Sequence, residues 1–112
     1  MERAVDGDSS LAASFCFPPD FTGFQGHFPS NSVLPGACQI QAVICTIEKG
    51  LNSSLLLKKI ILAKYFAPVF PDEKIDCAVS VTQAGDGTAL CKARISRGGE
   101  KVSEIRIEVA VL

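Results

Sequence analysis

The sequence has few of the residues that bind metal ions. It contains one histidine, His27, and five cysteines, none of which forms a CxxC pair. Structural zinc sites need cysteine and histidine ligands grouped at short, regular spacings. One histidine and scattered cysteines do not provide that spacing, so we expect no metal site.

Charge and hydrophobicity exclude two classes of partner. The formal net charge is −1 at pH 7, so no strong positive field attracts nucleic acid or an anionic membrane. No apolar run reaches the roughly 18 residues that a membrane-spanning helix requires. Residues 1–10 are polar and acidic, which does not suit a signal peptide. We therefore expect no nucleic-acid partner and no membrane insertion.

The odd number of cysteines favours free thiols over a disulfide framework. Cys38 and Cys45 lie two turns apart on a predicted helix. That spacing is about 10 Å along the axis, which is too far for a disulfide bond. Free thiols fit a reducing compartment, so we expect a cytoplasmic protein.

Hydrophobic periodicity predicts a single α+β domain over residues 1–112, with 1–8 as a flexible N-terminal segment. Hydrophobic residues make up 47% of the chain, which is enough for one core. Apolar residues alternate with a period of two in four segments and form one denser run. The predicted strands are 11–17, 57–67 (the denser run, expected to be mostly buried), 75–81, 89–95 and 105–111. Short turns join the last four, so these strands should pair antiparallel.

The most helix-like run begins at Pro35 and ends near Lys49. Proline is favoured in a first helical turn, and Gly50 and Asn52 are typical stop signals. The run is apolar on nearly every side, which predicts a helix that is buried all round. The simplest packing wraps one antiparallel sheet around it. Gln41 is the exception, because it is polar and lies in the middle of the run.

The stretch that leads into this helix carries a family resemblance. Gly26-His27-Phe28-Pro29 precedes Val33-Leu34-Pro35-Gly36, and this closely resembles the hot-dog-fold 3-hydroxyacyl-acyl carrier protein dehydratases. Their motif reads G-H-F-P-x-x-P-V-x-P-G, with an acid five residues after the last glycine. Phe66-Ala67-Pro68-Val69-Phe70-Pro71-Asp72 also resembles the segment that opens the second half of the family's sheet. The resemblance covers about Phe21 to the C-terminus and implies a hot-dog fold.

The resemblance also implies roles for individual residues. His27 would be the base that removes the C2 proton of a 3-hydroxyacyl thioester. The Gly36 N–H would hold the thioester carbonyl, where the helix dipole favours negative charge. Phe28, Ala37 and Cys38 would contact the substrate, which would be carried on acyl carrier protein or coenzyme A. The site would lie between the chains of a homodimer or higher oligomer, and it would use no cofactor.

The sequence departs from the family pattern at two positions. Ser32 replaces the second proline of the motif, which loosens the loop but removes no chemical group. Gln41 replaces the acid that handles the leaving hydroxyl. Glutamine donates and accepts hydrogen bonds but is not an acid, and loss of a general acid costs on the order of 10²–10⁴ in rate. Glu48 lies about 10 Å farther along the helix, so direct substitution is not expected. Asp20 and Asp72 lie in predicted loops and stay open as alternative acids, and His27 could act first as base and then as acid.

Each of these catalytic or binding roles has a purely structural alternative. His27 could be a structural loop histidine, Gln41 a satisfied amide buried at a dimer interface, and Pro35-Gly36 only a helix start. The leading hypothesis is a dehydratase-type lyase with an altered acid position. The second is a non-catalytic subunit that binds acyl thioesters or partners a catalytic chain. A thioesterase ranks third, because such enzymes usually need a carboxylate to activate water.

Overall fold

The computed structural model describes residues 8–21, 33–83 and 86–112 of the chain. Within these ranges the protein contains five strands and one helix. Their order is β1 (Asp8–Cys16), α1 (Gly36–Leu51), β2 (Leu55–Tyr65), β3 (Lys74–Gln83), β4 (Thr88–Arg97) and β5 (Glu100–Val111). This succession of one strand, one helix and four strands confirms the predicted α+β order.

The five strands form one antiparallel sheet in the order β1-β3-β4-β5-β2. The pairs β3–β4 and β4–β5 are the hairpins that the short turns predict. Gly98 and Gly99 adopt positive φ in the second of these turns, a conformation that glycine reaches without steric cost. Because β1 pairs with β3 and β2 pairs with β5, the first two strands in the chain are the two edges of the sheet.

Helix α1 begins and ends close to the predicted positions. Asn52 stops it with φ 53° and ψ 46°, and its N–H donates to the Glu48 carbonyl, which is a left-handed C-cap. Gly50 was also predicted as a stop signal but lies inside the helix. A Cβ at Gly50 would lie 2.5 Å from a methyl carbon of Leu11, so this glycine allows α1 to pack closely against β1.

The core lies between α1 and the inner face of the sheet. The alternating apolar side chains of β3, β4 and β5 point inward and are buried. They include Ile75, Cys77, Val79, Val81, Ala89, Cys91, Ala93, Ile95, Ile105, Ile107 and Val109. Ile40, Val43 and Ile47 of α1 pack against them. This alternation matches the predicted period of two.

The prediction that α1 is buried all round is wrong for the single chain. Gln39, Ile40, Ala42, Val43, Thr46 and Ile47 are buried, but Ala37 and Gln41 are exposed. The sheet contacts one side of the helix, and its other side stays open.

The prediction that β2 is a mostly buried strand is also wrong for the single chain. Leu56 and Ile60 are 54% and 48% exposed, and Ile61 is exposed to the same extent as Ile60. Among the described strands β2 lies at an edge of the sheet and has one neighbour, β5, so fewer elements cover it than cover β3, β4 and β5. Its dense apolar composition therefore remains on the surface.

Several sequence predictions fall wholly or partly outside the described residues. These include most of the N-terminal segment 1–8, of which only Asp8 is described, as the first residue of β1. They also include most of the loop from Asp20 to Leu34, although Phe21 is described and packs on Phe17 with ring centroids 4.8 Å apart. All five cysteines are described and free. Within the described ranges no helix is long and apolar enough to cross a bilayer.

Candidate functional site

The start of α1 is held by the segment that follows β2. The Leu34 N–H donates to the Val69 carbonyl at 2.8 Å, and both residues are buried. Pro35 follows in an extended conformation with φ −62° and ψ 152°. Its carbonyl accepts hydrogen bonds from the N–H groups of Cys38 and Gln39 at 3.0 and 3.2 Å. The Pro-Gly step of the motif therefore begins a helix at a fixed point beside the sheet.

The first turn of α1 has unused backbone donors. No described residue accepts a hydrogen bond from the N–H of Gly36 or Ala37. The turn contains no acidic residue, and Pro35 provides no side-chain cap. Free N–H groups and the aligned peptide dipoles give a helix start a partial positive charge. This end of α1 therefore favours an oxygen on which negative charge develops.

A pocket of about 390 Å³ opens at this helix start. Its described lining consists of Val33, Leu34, Pro35, Gly36, Gln39, Tyr65, Phe66, Ala67 and Pro68. Gln39 and Tyr65 are the only polar side chains in this set, and the set contains no carboxylate. A concave, mostly apolar pocket with a few polar groups is typical of small-molecule sites.

The Tyr65 side chain lies directly against Gly36. A Cβ at Gly36 would lie 2.5 Å from the Tyr65 Oη and 2.6 Å from its Cζ, which is closer than non-bonded atoms approach. Partial burial raises the pKa of Tyr65, so the phenol keeps its proton and remains a hydrogen-bond donor. The absence of a side chain at Gly36 thus makes room for a phenol at the helix start.

Gln39 is the second polar group of the pocket, and β5 holds it in place. Its Oε1 accepts a hydrogen bond of 2.7 Å from the Ser103 Oγ. Gln39 is 3% exposed and Ser103 is fully buried. A buried amide with a partner is tightly oriented, because no water competes for its oxygen. The pair therefore ties the first turn of α1 to strand β5.

The predicted site residues do not all meet at this pocket. Gly36 lines it, whereas His27 and Phe28 lie outside the described residues. Ala37 and Gln41 are exposed, Cys38 is half-buried, and none of the three belongs to the described lining. The Gln41 Nε2 instead donates a weak hydrogen bond to the Cys45 Sγ at 3.8 Å.

The surroundings of Cys38 and Glu48 indicate the role of each side chain. Burial raises the pKa of the Cys38 thiol, which disfavours the thiolate that a nucleophile requires. The Glu48 carboxylate accepts the Leu55 N–H at 2.9 Å and so stabilises the turn between α1 and β2. This agrees with the prediction that Glu48 does not replace the acid at position 41.

Sequence reasoning missed Gln39 and Tyr65. The sequence feature that could have identified Gln39 as a site residue is its polarity in an apolar helix, one turn after the Pro-Gly step. Tyr65 is the only tyrosine in the chain, at the end of β2. Neither signal identifies the partner of the side chain, since Ser103 and Gly36 are distant in sequence.

Comparison with known proteins decides the family. Residues 3–104 match the family ApeI-like, described as ApeI dehydratase. The chain belongs to the ApeI-like dehydratase family. The predicted dehydratase resemblance is thereby confirmed.

Two relatives of this chain are 3-hydroxyacyl-[acyl-carrier-protein] dehydratases named FabZ. The protein from Ehrlichia chaffeensis is 33% identical over 89 residues, covering 75% of this chain and 62% of the relative. That from Ehrlichia canis is 31% identical over 94 residues, covering 75% and 64%. The match thus spans a little under two thirds of the length of these relatives.

Solved structures confirm the hot-dog fold of the ApeI-like chain. The fluoroacetyl-CoA thioesterase FlK superposes with a TM-score of 0.81 at 11% identity, covering 98% of this chain and 90% of FlK. The dehydratase heterocomplex ApeI:P from Xenorhabdus doucetiae gives a TM-score of 0.73 at 19% identity, covering 98% and 99%. At these identities the likeness concerns the fold alone, which thioesterases and dehydratases share.

Proposed function

We propose that this chain removes water from a 3-hydroxyacyl thioester to give an enoyl thioester. The observation that carries the proposal is a helix start whose first N–H groups have no acceptor among the described residues. It follows the G-H-F-P motif in a member of the ApeI-like dehydratase family. In this proposal His27 removes the C2 proton and then returns it to the 3-hydroxyl group, which leaves C3 as water while the C2–C3 double bond forms. The Gly36 N–H holds the carbonyl oxygen as its negative charge grows.

The proposed carrier of the acyl chain is acyl carrier protein or coenzyme A. The FabZ relatives are named for acyl carrier protein, which supports the first of these. The apolar walls of the pocket, among them Phe66 and Pro68, suit the acyl chain. Phe28, Ala37 and Cys38 are proposed as further substrate contacts. The free state of all five cysteines supports a reducing, cytoplasmic location.

A second copy of the chain is proposed to cover the open side. Edge strand β2 carries exposed apolar residues, among them Leu56, Ile60 and Ile61. Among the described strands only β5 pairs with it, so its outer backbone groups have no strand partner there. An exposed, apolar edge favours pairing with another chain. A homodimer paired through β2 would also cover the open side of α1, where Gln41 lies.

Mass measurement by light scattering tests the homodimer. We expect twice the chain mass of 11.9 kDa. Ile60→Lys should give the single-chain mass, because a charge at the pairing edge opposes association. Leu90 is 48% exposed, like Ile60, but lies on β4, so Leu90→Lys is the matched control and should stay dimeric. A wild-type protein at the single-chain mass would contradict this interface.

Turnover of 3-hydroxyacyl thioesters tests the reaction. The purified protein and its His27→Ala variant receive the substrate on carrier protein and on coenzyme A, and the enoyl product is followed by absorbance and mass. We expect product from the wild type and none from His27→Ala. Gln41→Glu should raise the rate, because a carboxyl group restores a general acid. An unchanged rate would mean that position 41 does not contact the substrate hydroxyl.

The second candidate is a non-catalytic subunit that binds acyl thioesters or partners a catalytic hot-dog chain. The observation in its favour is the amide at Gln41, together with the absence of a carboxylate from the described pocket lining. Bound but unchanged substrate, or co-purification with a second hot-dog chain, would support it. Release of free acid and free thiol would instead identify a thioesterase.

A further inference from the structure

We propose that the Tyr65 hydroxyl contacts the bound thioester and donates a second hydrogen bond to its carbonyl oxygen, beside the Gly36 N–H. This inference rests on the proposed function, because it takes the acyl thioester as the occupant of the pocket at the start of α1. It adds a catalytic residue from β2 to a site otherwise built from the loop and the helix.

The first support is the position of the phenol. A Cβ at Gly36 would lie 2.5 Å from the Tyr65 Oη. Since a carbon–carbon bond is about 1.5 Å long, the hydroxyl oxygen lies within about 4 Å of the Gly36 Cα. The Gly36 nitrogen is about 1.5 Å from its Cα, so the two donor atoms lie within about 5.5 Å of each other. One carbonyl oxygen can accept from two donors at that separation, since each hydrogen bond spans about 2.9 Å.

The second support is the chemistry of the lining. Gln39 and Tyr65 are the only polar side chains in the described part of the pocket, and the Gln39 oxygen is already bonded to Ser103. Among the described residues the Tyr65 hydroxyl makes no hydrogen bond. It is therefore the one side-chain O–H in this lining that is available to a ligand.

The third support is the surrounding environment. Tyr65 is 46% exposed, but its neighbours in the pocket are mostly apolar, and an acyl chain bound there would exclude water. In such surroundings a hydrogen bond to a developing oxyanion is stronger than in water. The phenol stays protonated throughout, so it stabilises charge and takes no part in the proton transfers of the dehydration.

Kinetics of Tyr65→Phe test the hydroxyl, since this change keeps the ring that packs on Gly36. We expect kcat to fall about 10- to 100-fold, the range for one hydrogen bond to a charged group. KM should change less than about threefold, because the charge develops mainly in the transition state. Phe70 is an exposed aromatic residue between β2 and β3, outside the described lining, so Phe70→Leu is the control and should leave kcat unchanged. Circular dichroism checks that each variant is folded.

Fluorescence supplies a readout that does not depend on turnover. The chain has one tyrosine and no tryptophan, so its tyrosine emission reports on Tyr65 alone. Butyryl-pantetheine is a suitable probe, since it is a thioester without a 3-hydroxyl group to lose. We expect a saturable change in emission as it is added. Gly36→Ala should change the emission even without the probe, because the new Cβ would displace the phenol.

The two measurements separate the inference from the proposed function. If the wild type is active and Tyr65→Phe retains kcat within about twofold, the Tyr65 assignment is overturned while the dehydratase stands. If the wild type is inactive, the dehydratase proposal fails, and a saturable emission change still supports Tyr65 as a thioester contact. An unchanged emission at saturating butyryl-pantetheine overturns that contact.

Discussion

Ser103→Ala should destabilise the protein far more than the loss of one surface hydroxyl would. The Ser103 Oγ donates to the Gln39 Oε1 at 2.7 Å, and both side chains are buried. Removing the hydroxyl leaves a buried amide oxygen without its partner, which costs about 1–3 kcal/mol. Domains of this size have a free energy of unfolding of roughly 5–15 kcal/mol, so the loss is a sizeable fraction of the total.

Urea denaturation at one fixed protein concentration measures this cost. The concentration must be constant because association adds to the apparent stability. Ser80→Ala is the matched control, since Ser80 is an exposed serine on β3, and it should cost less than about 0.5 kcal/mol. The double variant Ser103→Ala with Gln39→Leu should recover most of the loss, because neither buried polar group then remains.

Two results would refute this reasoning. A cost for Ser103→Ala no larger than that for Ser80→Ala would mean that the Gln39 oxygen does not depend on the hydroxyl. A double variant less stable than Ser103→Ala alone would mean that Gln39 stabilises the helix through another contact. Either result would remove the stated link between the first turn of α1 and β5.

Three further predictions concern the helix and the β3–β4 turn. Ile47→Ala should lower the free energy of unfolding by about 2–5 kcal/mol in urea denaturation, because Ile47 is fully buried between α1 and the sheet. Asn52→Ala should cost about 1–2 kcal/mol by the same measurement, since φ is 53° there, whereas Asn52→Gly should cost little or nothing. Hydrogen bonds from the Thr88 hydroxyl and N–H lower the pKa of Asp86. A carboxyl group whose pKa is lowered by folding stabilises the folded state at pH values above its unfolded-state pKa. The difference in stability between wild type and Asp86→Asn should therefore be present at neutral pH and disappear as the pH falls through the folded-state pKa. A difference that grows on acidification would contradict this prediction.

Local sequence patterns predicted the secondary-structure elements and indicated a family resemblance. Alternating apolar residues predicted the inward-facing positions of β3, β4 and β5, because a strand turns successive side chains to opposite faces. Gly98-Gly99 predicted a tight turn, since positive φ is open to glycine at little cost. The motif from Gly26 to Gly36 indicated the dehydratase family without any structure.

Which elements are neighbours and which side chains meet is visible only in the folded chain. The dense apolar run shows that 57–67 can be a strand, but it does not show that β2 lies at an edge of the described sheet with its apolar residues exposed. The partners of Gln39 and Tyr65 are Ser103 on β5 and Gly36 on α1. Such contacts arise from the packing of α1 on the sheet and from strand order, which depend on the whole chain, so local sequence patterns do not encode them.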